Sequence, residues 1–305
     1  MVTIKFAAVS RNYFNMPIWV AQHCGFFKDE GIELDIELYE PINEVTERLQ
    51  DGRVQLAFGV TEHVILDREA GGNLLIIGGN VNKLAFTLIA NNKIKKPQDL
   101  RNKVIGVSSI QAGSSSLIMK SLESYGLNYP QDYSIKEVGP ILARWDKLQS
   151  GEIDAGLQGA PLNYIAIDQG FTALIEPREN FPDFQFTSLN VDEIWANKNA
   201  KTLHYFMRAF IRAHHMFFED KGLMIDIAIK ETGISEKYAE AAWEEYTQEK
   251  IFSLNGDVNT AGVQTLIDIS ALIRAIKQRK GTSAKSYINR QFLEKAVIDI
   301  TSSKI

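Results

Sequence analysis

One pattern occurs twice in this chain, and it limits the possible folds more than any other feature. Residues 49–60 read Leu-Gln-Asp-Gly-Arg-Val-Gln-Leu-Ala-Phe-Gly-Val, and residues 148–159 read Leu-Gln-Ser-Gly-Glu-Ile-Asp-Ala-Gly-Leu-Gln-Gly. Each copy has a Leu-Gln-x-Gly helix stop, a charged residue, and a short apolar strand ending in a glycine loop. Upstream of each stands an apolar strand ending in Val-Ser, at 4–10 in one copy and 103–108 in the other, and the copies lie about 100 residues apart throughout. A unit of that length is half a protein rather than a solenoid module. Two similar α/β halves leave a cleft between them, and clefts bind small molecules.

Composition bounds what such a chain can be. Its 305 residues suffice for two domains at roughly 150 each. A hydrophobic share of 45% with 23% charge is ordinary for a globular protein. The net charge of −5 argues against a nucleic-acid partner, which would call for a basic domain or stripe. The single cysteine, Cys24, excludes an intramolecular disulfide and a cysteine-rich metal site. Neither a metal nor a cofactor site is expected. No apolar run approaches the ~18 residues of a membrane span.

The N-terminus, Met-Val-Thr-Ile-Lys-Phe, enters a strand at once and lacks the pattern of a secretory leader. Two locations fit. With a leader removed, the protein would be periplasmic or a membrane-anchored extracellular protein. With Met1 as the native start, it would be cytoplasmic.

Hydrophobic periodicity gives the element order. Strands are expected at 4–9, 32–38, 54–58, 74–78 and 84–91, with helices at 18–24, 43–50 and 62–69. Pro17 suits the first turn of a helix, and Gly25 suits its end. In the second half, strands are expected at 104–107, 134–138, 153–157 and 172–175, with helices at 114–125, 141–149 and 162–169. From about residue 200 the pattern turns helical, at 203–219, 223–232, 235–247, 260–280 and 291–297. Alternation of strand and helix predicts a parallel-rich sheet in each half. The chain is expected to cross over near 84–88 and return near 186–191, with the helical tail packed on the first half. That gives one discontinuous domain, 1–85 with 190–305, and a second at 86–189. Two extended crossovers make a hinge.

The stretch Pro17-Ile-Trp-Val-Ala-Gln-His-Cys-Gly-Phe-Phe-Lys-Asp-Glu-Gly-Ile-Glu-Leu34 resembles the opening helix-and-strand signature of type II periplasmic solute-binding proteins. More narrowly, it resembles the nitrate, sulfonate and taurine binding-protein group of ABC importers, which includes thiamine-pyrimidine precursor binders and synthases. Lys96-Pro-Gln-Asp-Leu-Arg-Asn-Lys-Val-Ile-Gly-Val107 resembles the group's second-domain entry, and Leu148-Gln-Ser-Gly-Glu-Ile-Asp-Ala155 its late helix–strand junction. The resemblance implies a two-domain α/β fold, hinged, with the ligand cleft between domains. It also implies a small-molecule ligand, an ABC permease as partner, and a monomer.

Glu40-Pro41, Val45-Thr46-Glu47 and His63 are similar to the thiamine-pyrimidine synthase branch. That branch uses a histidine in this region as pyrimidine source, with a lysine shortly before it and a cysteine cluster. Here Phe58-Gly-Val-Thr-Glu-His63 has no lysine, and Cys24 stands alone. The resemblance therefore favours binding over synthesis.

Ligands of open α/β sheets lie outside the carboxyl ends of strands, and four loops meet that condition. In the first, Asn12 and Asn15 offer amides while Tyr13 and Phe14 offer flat faces. In the second, Gly59, Val60 and Thr61 lead to His63; a helix entry favours anions, although capping is the plainer role for the Thr61 hydroxyl. The third holds Ser108, Ser109, Gln111, Ser114 and Ser115, small and polar at a helix N-terminus that favours negative charge. No Gly-Lys-Ser/Thr follows, so it is not a P-loop. The fourth has Gln158 and Gly159 before Pro161. The crossovers add Asn82, Lys83, Asn190 and Asp192, with Lys83 as the cation nearest a cleft anion. Trp145 and Trp195 could stack on a flat ligand or sit in the core.

Two functions follow. The first is a solute-binding protein that closes on a sulfonate, carboxylate or pyrimidine-like molecule for an importer. The second is a cytoplasmic enzyme on the same scaffold, of pyrimidine-precursor, decarboxylase or isomerase type, using His63 and Glu62; His23 is the other acid–base candidate. His214 and His215 are adjacent on a helix and cannot face one site.

Overall fold

The computed structural model describes residues 1–110, 113–272 and 282–302. The apolar opening run forms β1 (Val2–Val9), followed by α1 (Met16–His23), the single turn α2 (Phe26–Asp29) and β2 (Ile32–Tyr39). The first copy of the repeat folds as α3 (Ile42–Gln50) and β3 (Leu56–Val60), then α4 (Thr61–Glu69) and β4 (Leu74–Val81). The second half runs β5 (Phe86–Ala90), β6 (Val104–Val107), α5 (Gly113–Glu123) and β7 (Ser134–Glu137). Its copy of the repeat follows as α6 (Ile141–Gln149) and β8 (Ala155–Gly159), then α7 (Leu162–Asp168) and β9 (Thr172–Ile175).

The two helix stops behave alike for one physical reason. Gly52 and Gly151 both take φ +75°, left-handed backbone that side chains rarely adopt, so each helix ends at the same point of the pattern. Each helix then buries one stripe against its sheet. Ile42, Val45 and Leu49 do this on α3, and Ile141, Arg144, Trp145 and Leu148 on α6. Burying Leu49 or Leu148 contributes about 1.5–3 kcal/mol.

The chain returns through β10 (Thr187–Asp192) to the first sheet, whose order is β2-β1-β3-β10-β4. The second sheet has the order β7-β6-β8-β5-β9. In each, the first two βα units pair in parallel, and the strand next to a crossover, β10 or β5, runs antiparallel to both its neighbours. The two halves are thus the same sheet built twice. Because β10 starts at Thr187, residues 187–189 lie in the first sheet although the sequence reading assigned them to the second unit.

The crossovers are tied together. Phe186 N–H donates to Val81 O (2.9 Å), and Gln185 Nε2 donates to Asn82 Oδ1 (2.8 Å). The Asn259 side chain closes the set by donating to Asn82 O (3.1 Å).

After β10 come α8 (Glu193–Lys198), α9 (Ala200–Glu219), α10 (Lys221–Thr232), α11 (Glu236–Gln248), α12 (Thr260–Leu272) and α13 (Gln291–Ser302). The sequence reading missed α8. Asp192, expected at the cleft, caps it by accepting from Trp195 N–H (2.8 Å). Of the helix expected at 260–280, α12 covers 260–272, and the remainder of that span lies outside the described residues.

The tail packs on the first sheet through Phe206 and Phe210, whose rings meet Phe6 and Phe58. Contrary to expectation it also holds the second half. Glu245 of α11 accepts from Tyr164 Oη and Arg178 Nη1, both at 2.7 Å, and α12 packs on α5. One apolar core runs through both halves. A smaller one behind the second sheet takes Trp145, whose ring lies 5.2 Å from that of Phe171; Trp195 packs on the main core. Neither tryptophan lines the cavity described below.

Candidate functional site

A cavity opens between the two sheets, holding about 550 Å³ of atom-free space with its mouth included. The first half supplies Val9, Asn12, Phe14, Asn15, Ile42, Phe58, Val60 and Asn80; the second supplies Phe86, Ser108, Ser114, Pro140, Ile141 and Arg144; the return crossover adds Phe186 and Thr187. The wall is mostly apolar, with a few polar groups converging on it.

Three rings form one face. Phe14, Phe86 and Phe186 meet edge to face in every pairing, with centroids 5.7, 5.9 and 4.7 Å apart. They come from the first loop and from both crossovers.

The charge in this wall belongs to Arg144. It is 3% exposed, yet its hydrogen-bond partners are neutral: Nε donates to Leu157 O (2.7 Å) and Nη1 to Ser108 Oγ (2.8 Å). Burial pulls the guanidinium down to about 10, with no compensating carboxylate. Buried charges are normally paired, because an isolated one is costly to desolvate. A guanidinium left with neutral partners at a cavity wall is arranged to receive an anion.

Other polar atoms at the wall are buried and unpartnered. Ser114 Oγ and Asn80 Oδ1 face no hydrogen-bond partner. Gln158 is fully buried with neither amide atom bonded. Such atoms are rare in folded proteins; those of Ser114 and Asn80 stand at the cavity wall, whereas Gln158, like the unpartnered Ser116 and Tyr246, is not among its lining residues.

The expected site residues divide into groups. Phe14, Val60, Ser108 and Ser114 line the cavity. Asn12 lines it too, but its amide is committed to the loop: Oδ1 accepts from Phe14 N–H and Nδ2 donates to Val9 O, both at 2.9 Å. Asn15 Nδ2 likewise donates to Ser10 O. Gly159 stands beside the cavity, since a Cβ there would lie 3.4 Å from Phe14 Cζ and 3.3 Å from Ile141 Cδ1.

Others are elsewhere. Tyr13 is a core residue stacked edge-on against Tyr246 (4.9 Å). Thr61 caps nothing; its hydroxyl donates to Ser188 Oγ, which donates to Asn190 Oδ1, and Asn190 in turn fills the space a side chain at Gly59 would need. Ser115 is buried and donates to the Ser109 carbonyl, so both shape the loop. Lys83 lines a separate depression with Phe218 and Lys250. Gln111 lies outside the described residues.

His63 also turns away from the cavity. Its Nδ1 pairs with Thr46 Oγ1 (2.8 Å), it lines a depression between α3 and α4, and burial holds it down to about 4. Glu62 is buried at the start of α4. An acid–base pair of His63 and Glu62 therefore has no access to this cavity. His23 pairs with Glu231 (2.7 Å) on the outer side of α1. His214 is core, bonded to Ser253 O, and His215 pairs with Asn255. Among the described residues no group of three or more His, Cys, Asp or Glu could hold a metal, and no helix is long and apolar enough to cross a membrane.

Sequence reasoning missed Arg144, Asn80, Phe86 and Phe186. For Arg144 a signal existed, because it interrupts the apolar stripe Ile141-x-x-x-Trp145-x-x-Leu148. Its counterpart in the first copy of the repeat, aligned through Ile42/Ile141 and Leu49/Leu148, is the buried Val45.

The chain is similar to known proteins in sequence and in fold. The profile of the NMT1/THI5-like family matches residues 12–222. A 4-amino-5-hydroxymethyl-2-methylpyrimidine phosphate synthase of Saccharomyces cerevisiae is 28% identical over 150 residues, which is 47% of this chain and 42% of that protein. The chain thus spans less than half the length of that relative. The alkanesulfonate-binding protein of Xanthomonas axonopodis pv. citri, solved with MOPS, superposes with a TM-score of 0.76 at 15% identity, covering 95% of this chain and 99% of the other. The periplasmic nitrate-binding protein of Synechocystis PCC 6803 gives 0.83 at 12% identity, covering 98% and 89%. At those identities the likeness speaks for the two-domain binding-protein fold.

Proposed function

The chain belongs to the NMT1/THI5-like family, and from that premise we propose that it binds a small organic anion by closing two α/β domains around it. One domain comprises residues 1–85 and the chain from β10 onward; the other comprises the segment between. The observation that carries this reading is Arg144, a buried guanidinium with neutral partners at the wall between the sheets. Ser108 and Ser114 complete the anion end, and the Phe14, Phe86 and Phe186 rings receive a flat apolar body.

The mechanism is a population shift rather than a reaction. Groups from both halves line one cavity, so a ligand touching both has more contacts in the closed arrangement than in an open one. As the solute-binding component of an ABC-type importer, the closed form would be handed to a permease. The shared fold with nitrate- and alkanesulfonate-binding proteins supports that role.

Sequence relatives favour a second reading, an enzyme of pyrimidine synthesis. Within this chain, His63 sits outside the cavity and Cys24 stands alone, and both facts weigh against it. Calorimetry against nitrate, alkyl and aryl sulfonates, carboxylates and pyrimidine phosphates, followed by mass spectrometry of protein and ligand, separates the readings. Reversible binding with both masses unchanged is expected. A new product, or a protein mass reduced at His63, would replace binding with synthesis.

A further inference from the structure

Resting on the reading of the cavity as an anion site, we infer that Asn80 selects among anions: the ligand carries an N–H or O–H donor as well as its anionic group, and that donor meets Asn80 Oδ1. The first observation is backbone. Thr187 pairs with Val81 and Ser188 with Gly79, so Asn80 is the extra residue of a β-bulge in β4. A bulge re-aims one side chain out of the regular alternation. Here the re-aimed side chain reaches the cavity wall.

The second observation is the state of the amide. Asn80 is 1% exposed. Its Nδ2 donates to Thr187 Oγ1 (3.1 Å), and Oδ1 is a buried acceptor with no protein partner. A buried acceptor left empty is unfavourable, and a ligand that cannot donate leaves it empty.

The third is placement. Asn80 and Thr187 belong to the first sheet, whereas Arg144, Ser108 and Ser114 belong to the second half. A molecule with an anion for Arg144 and a donor for Asn80 touches both halves at polar groups, with the three phenylalanine rings beside it. The ligand class is therefore an amino- or hydroxy-substituted organic anion, not a plain aryl or alkyl one. Sites built around a hydrogen bond reject analogues that lack it far more strongly than apolar pockets reject a missing methyl.

Matched probes test this on the whole 305-residue chain. Calorimetry would compare 3- and 4-aminobenzoate and 3- and 4-hydroxybenzoate with the methylbenzoates of equal size, and the same substituents on benzenesulfonate. At least one donor-bearing anion should bind tenfold or more tighter than its methyl partner. Asn80→Leu should reduce that ratio to near one. Equal binding of amino and methyl probes to the wild type, or a preference that survives Asn80→Leu, overturns the inference but leaves the anion site standing. Failure of every anion to bind the wild type would sink the anion site and this inference with it. The wild-type comparison decides the matter even where a variant fails to fold.

Discussion

A single side chain, Arg144, carries most of the functional argument, and it also bears on stability. Retaining a buried cation without a carboxylate costs the empty protein free energy. Arg144→Met fills the same space with an apolar chain. It should leave the ligand-free protein within about 2 kcal/mol of the wild type in urea unfolding, relief of the buried charge offsetting the hydrogen bonds lost at Leu157 O and Ser108 Oγ. A large loss of stability would mean the guanidinium is structural rather than held for a ligand. His63 and His214 make a second residue-scale prediction. Burial holds them down to about 4 and about 3, against an ordinary 6.5. Above about pH 6.5 both are neutral folded or unfolded, and stability is complete. Below it the unfolded chain takes up protons that the folded chain refuses, so stability falls as pH drops toward 4, by about 1.4 kcal/mol per pH unit for each histidine. Urea midpoints measured from pH 7.5 to 4.5 should show this slope, and His63→Gln should make it shallower. An unchanged slope in that variant would remove His63 from the account.

At the scale of elements, the sequence was most legible where periodicity and glycine coincide. The helix stops at Gly52 and Gly151, the strands of both repeat copies and the tail helices follow from apolar spacing and left-handed turns alone. The pieces that escaped depend on pairing. The extension of β4 through Asn80 needs β10 beside it, and the short helix α8 rests on the Asp192 cap. The cavity was read from loops, yet Arg144 comes from a helix and Asn80 from a strand bulge, and neither is a loop residue. Arg144 was visible in principle, as the one charged residue on an apolar stripe where the sister helix has Val45. The element that most needs its sequence is α12. A Cβ at Gly262 would stand 2.6 Å from the Gln185 amide nitrogen and 2.7 Å from the Phe184 carbonyl carbon, both backbone atoms that cannot swing aside. Gly262→Ala should therefore destabilise the protein by about 1–3 kcal/mol, despite alanine's better helix propensity. A neutral or stabilising result in thermal melting would show that α12 does not lie so close to the return crossover.

For the whole molecule, the duplicated half explains the architecture, and the differences between the copies explain the site. Two sheets of the same order face a shared cavity, the crossovers are tied by Gln185 and Asn259, and α11 clasps the second half through Glu245. Glu245→Ala frees the Tyr164 hydroxyl and leaves Arg178 with Glu176 as its ion-pair partner. It should favour the open arrangement, raising the radius of gyration in solution scattering without ligand and weakening binding; scattering identical to wild type would make the clasp a local contact only. The central claim is that the cavity between the sheets is an anion site built on Arg144. The most direct measurement is calorimetric titration of wild type, Arg144→Lys and Arg144→Met with the tightest organic anion found in the screen. The account predicts micromolar or better binding to wild type, a loss of tenfold or more with lysine because its point charge cannot replace the planar fork, and no measurable binding with methionine. Undiminished affinity in Arg144→Met, with the variant folded, would contradict it.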